Sequence, residues 1–299
     1  MASEPAAAAT PPRDSTSHGR RVVIAWLVLS VIATPLVAIY VGPHIPPGNG
    51  SVQAQGQTFS NTVMTTLITP VLCLMAVFFG YGLVKFHTRR NEAIVDGPPL
   101  RNDARVQLLW MIITTTMVLF LAGFGTYELL KDGAGGGQGP NPIAFPANHK
   151  TAFQVQVIGQ QWQFTYRYPS LGGMESNQLV LPANRVIAIH VTSLDVVHSF
   201  WAVELGVKAD ANPGVDNVAY VETKGPRQFH VRCAELCGLW HGYMFNNGRV
   251  VTSAQFASWA AQAKATYAAI KPYVNKPPDQ GGAPFAHSYI PQTAARRAG

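Results

Sequence analysis

Twelve residues, from Cys233 to Met244, carry the side chains best suited to bind a metal. Within them two cysteines, one histidine and one methionine follow the spacing CxxxCxxxHxxM. Thiolate, imidazole and thioether groups together form a soft donor set of the kind that copper prefers. A structural zinc site favours closed tetrahedral sets of Cys and His, for which Met is a poor ligand. The spacing therefore predicts a copper site on one short loop.

A second cysteine distinguishes this loop from a mononuclear blue-copper site, which uses only one. The thiolates of Cys233 and Cys237 can bridge two copper ions, and each ion then needs one imidazole. His241 supplies the first, and His198, upstream in the chain, is the candidate for the second, since two such loops can meet at one end of a β-sandwich. A disulfide between the two cysteines is the alternative, but it leaves His241 and Met244 unexplained.

Charge and hydropathy place this loop in a membrane-anchored chain. Only 12% of the 299 residues are charged, against roughly a quarter in a soluble protein. Three apolar runs of the length that spans a bilayer, about 20 residues, predict helices over 22–42, 62–86 and 107–130. The basic loop 87–106 is expected in the cytoplasm, because positively charged loops stay inside. The metal loop then faces the outer side of the membrane.

The first apolar run has two interpretations. It is long for the core of a signal peptide, usually about 7 to 15 residues, which favours a retained helix preceded by Arg20 and Arg21. The Ser-Val-Gln-Ala stretch at 51–54 offers a cleavage site, so a signal segment is the alternative. Residues 1–21 are predicted to be a disordered cytoplasmic tail, because they have little apolar surface to bury.

The pattern after the last helix changes from helical to alternating. Apolar and polar residues alternate over 153–157 and 164–168, and more short strand-like runs follow between Gly, Pro and Asn residues. Many short strands over about 100 residues are typical of a Greek-key β-sandwich. We predict this domain at 150–270, after a flexible linker at 131–149 and before a disordered tail at 271–299. The predicted fold class is a membrane-anchored α plus all-β chain, with two or three transmembrane helices followed by the sandwich.

These stretches together resemble subunit II of the haem-copper cytochrome c oxidases. The resemblance covers roughly residues 58 to 260 and rests on five stretches in the family's order: Gly159–Trp162, Tyr166–Pro169, Asp195–Trp201, Gly206–Gly214 and Cys233–Met244. It implies the cupredoxin form of the β-sandwich. No CxxCH haem-attachment motif occurs in the chain, so the family implies haem in a partner subunit only.

The resemblance implies a dinuclear copper A centre, with two copper ions held by six residues: His198, Cys233, Glu235, Cys237, His241 and Met244. Both thiolates bridge the ions, each imidazole ligates one, the thioether is a weak ligand of one ion, and the backbone carbonyl of Glu235 ligates the other. The carboxylate of Glu235 is then expected to bind magnesium, a hard cation, at the boundary with subunit I, unless it simply faces solvent. Lys208 and Asp210 match family residues near the same boundary, with a surface ion pair as the alternative.

The implied function is electron input to a terminal oxidase of a bacterial plasma membrane. Trp162 is expected above the copper pair, where it receives electrons from cytochrome c or a membrane-tethered cytochrome; a buried core tryptophan is the alternative. Subunit I would hold the haems and reduce oxygen with proton pumping. It is an expected partner, together with the other oxidase subunits and the lipid bilayer, whereas no nucleic-acid partner is expected. Other functions left open are the electron-input subunit of a copper A nitric oxide reductase and a membrane-anchored copper-storage or delivery protein.

One departure from the family lies at the third apolar run. The family usually carries a glutamate three residues before the tryptophan that opens this helix, near a proton pathway of subunit I. Here the tryptophan is Trp110 and the third residue back is Gln107, which cannot titrate. Asp103, one helical turn further out, is a candidate substitute.

A second departure concerns the charge offered to the electron donor. Residues 131–299 contain 14 Lys and Arg and 9 Asp and Glu, a net charge of +5. A docking face for a basic cytochrome c is expected to be acidic. Either Glu175, Asp216 and Glu222 form a local acidic patch, or the donor is neutral, acidic or tethered.

Overall fold

Three long helices precede a domain of ten strands. The computed structural model describes residues 15–87, 103–132 and 146–274. The helices are α1 (Ser15–Leu36), α2 (Val52–Lys85) and α3 (Ala104–Asp132), and all three are long and apolar enough to cross a membrane. The strands belong to residues 146–274, here called the β-domain. The structure confirms the predicted fold class, with three apolar helices followed by a β-sandwich.

The first helix ends differently from the prediction of a helix over 22–42. It begins at Ser15, and after Leu36 its hydrogen-bond pattern changes to a π-helix over Val37–Val41. Pro35 lies just before this change, and its nitrogen cannot donate the bond that an α-helix requires. Three of the four residues of the Ser-Val-Gln-Ala stretch considered for cleavage, Val52 to Ala54, are the first residues of the second helix.

The second helix begins at Val52 rather than at residue 62, a correction to the prediction. At 1.5 Å per residue its 34 residues extend about 51 Å, well beyond the hydrocarbon core of about 30 Å. The polar first turns find partners in the β-domain: Gln57 Nε2 donates to the carbonyl of Gly206 over 2.7 Å, and the N–H of Glu222 donates to Gln53 Oε1 over 2.8 Å. These bonds explain why a polar stretch is helical.

The third helix also begins earlier than predicted, at Ala104 rather than 107. The carboxylate of Asp103 accepts hydrogen bonds from the N–H groups of Arg105 (2.9 Å) and Val106 (3.4 Å), as an N-cap does. Gln107 lies in the first turns of this helix with its side chain exposed. The predicted tails 1–21 and 271–299, the loop 87–106 and the linker 131–149 fall mostly outside the described residues.

The β-domain consists of two five-stranded sheets. The first has the order β3-β2-β1-β5-β8 and the second the order β4-β10-β9-β6-β7. The bounds of the strands are β1 Phe153–Gln160, β2 Gln163–Tyr168, β3 Met174–Ser176, β4 Val180–Pro182, β5 Val186–Ser193, β6 His198–Ala202, β7 Val207–Ala211, β8 Asn217–Glu222, β9 Arg227–Cys233 and β10 Phe245–Val251. Neighbouring strands are antiparallel except for the pairs β1–β5 and β4–β10.

The core fills the space between the sheets, as the alternating pattern requires. On β2, Phe164, Tyr166 and Tyr168 are buried while the residues between them are not. A final helix, α4 (Ser253–Val274), adds Phe256 and Trp259, whose rings contact the aromatic rings of the core. The two rings, three residues apart on one face of the helix, also contact each other.

Candidate metal centre

The ligand loop connects two neighbouring strands of the second sheet. β9 ends at Cys233 and β10 begins at Phe245. A 3-10 turn at His241–Tyr243 returns the chain towards the sheet, and the N–H of Cys233 donates to the carbonyl of Met244 over 3.0 Å. Because both ends of the loop continue into paired strands, the sheet fixes the positions of the first and last side chains.

His198 reaches the same place from the adjacent strand. It is the first residue of β6, which pairs antiparallel with β9 so that Phe200 lies opposite Cys233. One residue further along, the N–H of Ala234 donates to the carbonyl of Ser199 over 2.9 Å. Main-chain hydrogen bonds therefore hold the two predicted ligand segments side by side.

The five side chains predicted to ligate copper lie in one cluster. The sulfurs of Cys233 and Cys237 are 3.8 Å apart. His198 Nδ1 lies 3.9 Å from the first sulfur and His241 Nδ1 lies 3.5 Å from the second. The Sδ atom of Met244 is 3.8 Å from Cys237 Sγ. Each imidazole thus faces a different sulfur.

This cluster fits copper better than it fits a disulfide. Both cysteines are free, and their separation of 3.8 Å far exceeds the roughly 2.05 Å of an S–S bond. Two metal–thiolate bonds of about 2.3 Å span up to about 4.6 Å, so one ion can contact both sulfurs without moving them. A set of two thiolates, two imidazoles and a thioether is soft, which favours copper.

The ligand side chains are largely shielded from water. The exposed fraction is 0% for His198, 2% for Met244, 4% for Cys237 and 9% for Cys233. His241 is half-buried. The ligand side chains are therefore gathered in a site to which water has little access.

The two thiols differ in acidity. Burial opposes ionisation of Cys233, but hydrogen bonds from His198 and from backbone groups lower its pKa to about 6. Burial and the nearby charge of Cys233 raise the pKa of Cys237 to about 12. Since a thiolate is the form that ligates a metal, both thiols would lose their protons on binding an ion, and metal affinity would therefore depend on pH.

Asp195 orients His198. Its Oδ1 atom lies 2.9 Å from His198 Nε2, which leaves Nδ1 of the ring directed at the sulfur of Cys233. Burial opposes both charges, yet this contact and backbone hydrogen bonds lower the pKa of Asp195, while the contacts with Cys233 and Asp195 raise the pKa of His198. A carboxylate behind a ligating imidazole fixes its tautomer and strengthens it as a ligand.

Glu235 points its main chain and its side chain in different directions. Its carbonyl oxygen lies 3.3 Å from Cys233 Sγ, within the cluster, whereas the carboxylate side chain is exposed. Lys208 and Asp210 are two residues apart on β7 and therefore share one face of that strand.

Trp162 lies against the ligand loop and is half-buried. Its indole Nε1 donates to the carbonyl of Cys237 over 3.3 Å, and Gln161 Nε2 donates to the same oxygen over 2.8 Å. Gly238 permits this approach, because a Cβ atom there would lie 3.0 Å from Gln161 Nε2 and 3.4 Å from the indole. Trp162 is thus one hydrogen bond away from a candidate ligand.

Sequence reasoning missed Asp195 and Gln161, both of which hold site residues in place. Asp195 Oδ2 also accepts a hydrogen bond from the Gln161 N–H over 2.7 Å, so that the two act as one unit. The signal for Asp195 was its position three residues before His198, from which a carboxylate can reach the imidazole. Gln161 carried no comparable signal, because amide side chains are common in surface loops.

Comparisons with known proteins agree on one family. Residues 173–251 match the family model described as cytochrome c oxidase subunit II, periplasmic domain. The chain is 27% identical over 271 residues to cytochrome c oxidase subunit 2 of Synechocystis, covering 79% of this chain and 81% of the relative. It is 24% identical over 242 residues to the subunit 2 of Cereibacter sphaeroides, covering 66% and 73%.

One solved structure is similar to part of the chain. The crystal structure of the periplasmic domain of subunit II of cytochrome oxidase (CoxB) of Bradyrhizobium japonicum is 34% identical, with a TM-score of 0.37, and covers 38% of this chain and 95% of that domain. The range 173–251 that matches the family model includes His198 and the whole loop from Cys233 to Met244.

Proposed function

Since the chain belongs to the cytochrome c oxidase subunit II family, we propose that it is the electron-accepting subunit of a proton-pumping terminal oxidase. It is a membrane protein with three helices and a cupredoxin-like domain on the outer side, and it works as a subunit of an oxidoreductase complex together with other oxidase subunits. The proposed location is a bacterial plasma membrane. The haems and the oxygen-reducing site would lie in subunit I.

The candidate metal centre would hold two copper ions. Cys233 and Cys237 would bridge them, with His198 on the side of the first sulfur and His241 on the side of the second. Met244 and the carbonyl of Glu235 would complete the two coordination shells; they lie 3.8 Å and 3.3 Å from Cys237 Sγ and Cys233 Sγ, respectively. When bound, the copper pair would accept one electron at a time and pass it to subunit I.

The protein's own contribution is to keep the ligands in place. The buried cluster, the main-chain bonds from Cys233 and Ala234, and the contact between Asp195 and His198 all restrain the ligand atoms. A restrained and dry site changes its geometry and hydration little when its charge changes. This lowers the reorganisation required at each electron transfer.

Trp162 is the proposed first acceptor of the electron from cytochrome c or a membrane-tethered cytochrome. Its hydrogen bond to the carbonyl of Cys237 supports this role. The path from the indole to the proposed bridging thiolate then consists of this hydrogen bond and the backbone and side chain of Cys237. Its half-buried position leaves part of the ring accessible to a partner. Aromatic side chains are also enriched at protein interfaces.

The exposed carboxylate of Glu235 is the proposed magnesium ligand at the boundary with subunit I. A carboxylate suits this hard cation, and Glu235 would connect the magnesium site to the copper site through its own backbone. Lys208 and Asp210 would contribute to the same boundary.

The main support for the proposal is the geometry of two imidazoles and two thiols. The Nδ1 atom of His198 faces Cys233 Sγ, that of His241 faces Cys237 Sγ, and the two sulfurs are 3.8 Å apart. The test is a copper count and electron paramagnetic resonance (EPR) of the full chain, separated from the subunit that holds the oxygen-reducing site. Two coppers per chain sharing one unpaired electron, with a seven-line hyperfine pattern, are expected. One copper with a four-line pattern, or bound zinc, would contradict the dinuclear centre.

Two variants sharpen this test. Cys237→Ser removes one bridging thiolate and should convert the spectrum to a mononuclear one. Cys73→Ser is the matched control, because Cys73 is a buried cysteine of α2, far along the chain from the centre; it should leave the spectrum unchanged. Labile copper in a chain that purifies without partner subunits would instead support a storage or delivery protein.

A further inference from the structure

The surface around Trp162 is uncharged. A cavity of about 190 Å³ beside the indole is lined, besides Trp162 and the buried Phe164, by four residues, none of which is charged: Gln163, Asn177, Phe245 and Asn246. The side chain of Phe245 is 57% exposed and Gln163 is exposed as well. We call this set the Trp162 surface. Its centre offers aromatic and amide groups to a partner.

Cationic groups lie at the edge of the Trp162 surface. Arg232 is opposite Phe245 on the neighbouring strand, and its guanidinium carbon is 5.8 Å from the centre of that ring. Arg249 lines a second cavity of about 580 Å³, which shares Asn177 with the first. Both arginines are exposed. The rim of this surface therefore carries positive charge.

Two acidic groups near this surface, Asp195 and Glu175, already have partners. Asp195 accepts hydrogen bonds from the N–H groups of Gln161 and Val196 and contacts His198, so its charge serves the ligand site. Glu175, which lines the larger cavity, lies 3.9 Å from the guanidinium of Arg167, and burial raises its pKa. Neither offers an unengaged carboxylate to a partner.

The local acidic patch of Glu175, Asp216 and Glu222, one of the two alternatives left open by the sequence, is not formed. Glu175 is on β3 and Glu222 on β8, the two opposite edges of the first sheet. At about 4.8 Å per strand these edges are roughly 19 Å apart. Asp216 is buried at 1% exposure and contacts His190. The three acids cannot act together as a docking site.

We propose that the electron donor docks on the Trp162 surface through apolar contact and that the rim of its own docking face is acidic. This inference rests on the proposed function, since it assumes that Trp162 receives the electron. Charges across an interface are arranged to be complementary, which steers encounter and suppresses wrong partners. Positive rim residues around an apolar centre therefore favour a donor that has an apolar centre and a negative rim. They disfavour a donor with lysines around its exposed haem edge.

Equilibrium binding to the purified complex tests this proposal without requiring electron transfer. Two oxidised probes are titrated over a range of ionic strength: a lysine-rich c-type cytochrome and a c-type cytochrome of net negative charge. The acidic probe should bind more tightly at low salt and weaken as salt is added. The lysine-rich probe should gain no affinity at low salt. Either of two results would overturn the proposal. One is tight binding of the lysine-rich probe that weakens steeply as salt is added, and the other is binding of both probes that does not depend on salt.

Charge variants locate the effect on the structure. Arg232→Gln should weaken the acidic probe about twofold to fivefold at low salt and leave its affinity unchanged at high salt. Lys264→Gln is the matched control, because Lys264 is exposed on α4 and lines neither cavity; it should change nothing. Gln163→Glu should weaken the acidic probe and strengthen the lysine-rich one. Equal effects of Arg232→Gln and Lys264→Gln would refute the assignment of the rim.

The EPR spectrum separates this proposal from the one on which it rests. All three variants should keep the wild-type spectrum, since none of the changed residues belongs to the ligand cluster. A wild-type complex without a dinuclear signal would contradict the proposed function. The titrations would still decide whether an acidic partner docks on the Trp162 surface.

Discussion

Asp195→Asn tests how far the copper affinity depends on a residue that is not itself a ligand. In the structure, Asp195 Oδ1 faces His198 Nε2 at 2.9 Å and Oδ2 accepts from the Gln161 N–H at 2.7 Å. An asparagine has only one oxygen, so one of these two partners must face an NH2 group. If the NH2 group faces the imidazole, the ring is driven to the tautomer that protonates Nδ1, the atom aimed at the centre.

The expected loss follows from these contacts. One hydrogen bond to the carboxylate is lost in either orientation, and a hydrogen bond to a charged group contributes about 1.5–3 kcal/mol. Loss of a carboxylate behind a ligating imidazole typically lowers metal affinity about tenfold to hundredfold, the same range in free energy. We therefore expect Asp195→Asn to retain the folded β-domain but to lose copper to a competing chelator at a tenfold to hundredfold lower chelator concentration.

The assay is chelator competition on the full chain, followed by the optical and EPR signals. Glu204→Gln is a matched control: Glu204 also contacts an imidazole, that of His230, which is exposed and lies outside the cluster. The control should keep wild-type affinity.

The effect of Asp195→Asn should also shrink at acid pH. Asp195 helps to raise the pKa of His198. Without the carboxylate the imidazole binds a proton less readily at acid pH, so protons compete less with copper for this ring in the variant than in the wild type. Wild-type affinity of Asp195→Asn at pH 8 would refute this account of the site.

Three further predictions follow from single contacts. Gly238→Ala should destabilise the chain by about 1–3 kcal/mol, since φ is +117°. It should also slow electron acceptance, because the new Cβ would lie 3.0 Å from Gln161 Nε2 and would displace this side chain and the neighbouring Trp162. Gly242→Ala, with nothing within 4 Å, should do neither in urea unfolding and stopped-flow experiments. Burial raises the pKa of Tyr166 above its ordinary value of 10, so the contribution of Tyr166 to stability is full below pH 10 and falls by about 1.4 kcal/mol per pH unit above it. Burial raises the pKa of Tyr168 too, so Tyr166→Phe should reduce the slope of the alkaline limb of urea unfolding without abolishing it, and an unchanged slope would contradict the assignment. Ser51→Ala removes a buried hydroxyl that donates to the Leu205 carbonyl over 2.6 Å, and a loss of about 1–3 kcal/mol is expected; a stability equal to wild type would show that this bond does not anchor α2.

The sequence was most informative where one short stretch determined both chemistry and geometry. The spacing of Cys233, Cys237, His241 and Met244 indicates a soft metal site because all four lie on one loop. The alternating pattern of the surrounding residues predicted strands, and strands place the ends of loops side by side. His198 could be added only because two loops at one end of a sandwich can meet.

Contacts between distant segments were beyond sequence reasoning. The polar residues Gln53 and Gln57 lie outside the predicted helices 22–42 and 62–86, because nothing nearby in the chain shows that Glu222 and Gly206 supply their partners. The sheet order was equally unpredictable, and with it the separation of Glu175 from Glu222. In both cases the missing information is the pairing of strands and helices that lie far apart in the chain.

The same hydrogen-bonded sheet explains why the site is organised before a metal arrives. Cys233 and Met244 are tied to each other through the main chain, and Ala234 is tied to Ser199 on the neighbouring strand. The imidazole of His198 is held by Asp195 from one side and the loop is held by Gln161 from the other. If these bonds set the ligand positions, reduction and oxidation of a bound metal pair leave the protein almost unmoved. The crystal structures of metal-loaded and metal-free chains should then agree within about 0.5 Å at the ligand atoms, and a loop that reorders on loading would show that the metal, not the sheet, builds the site.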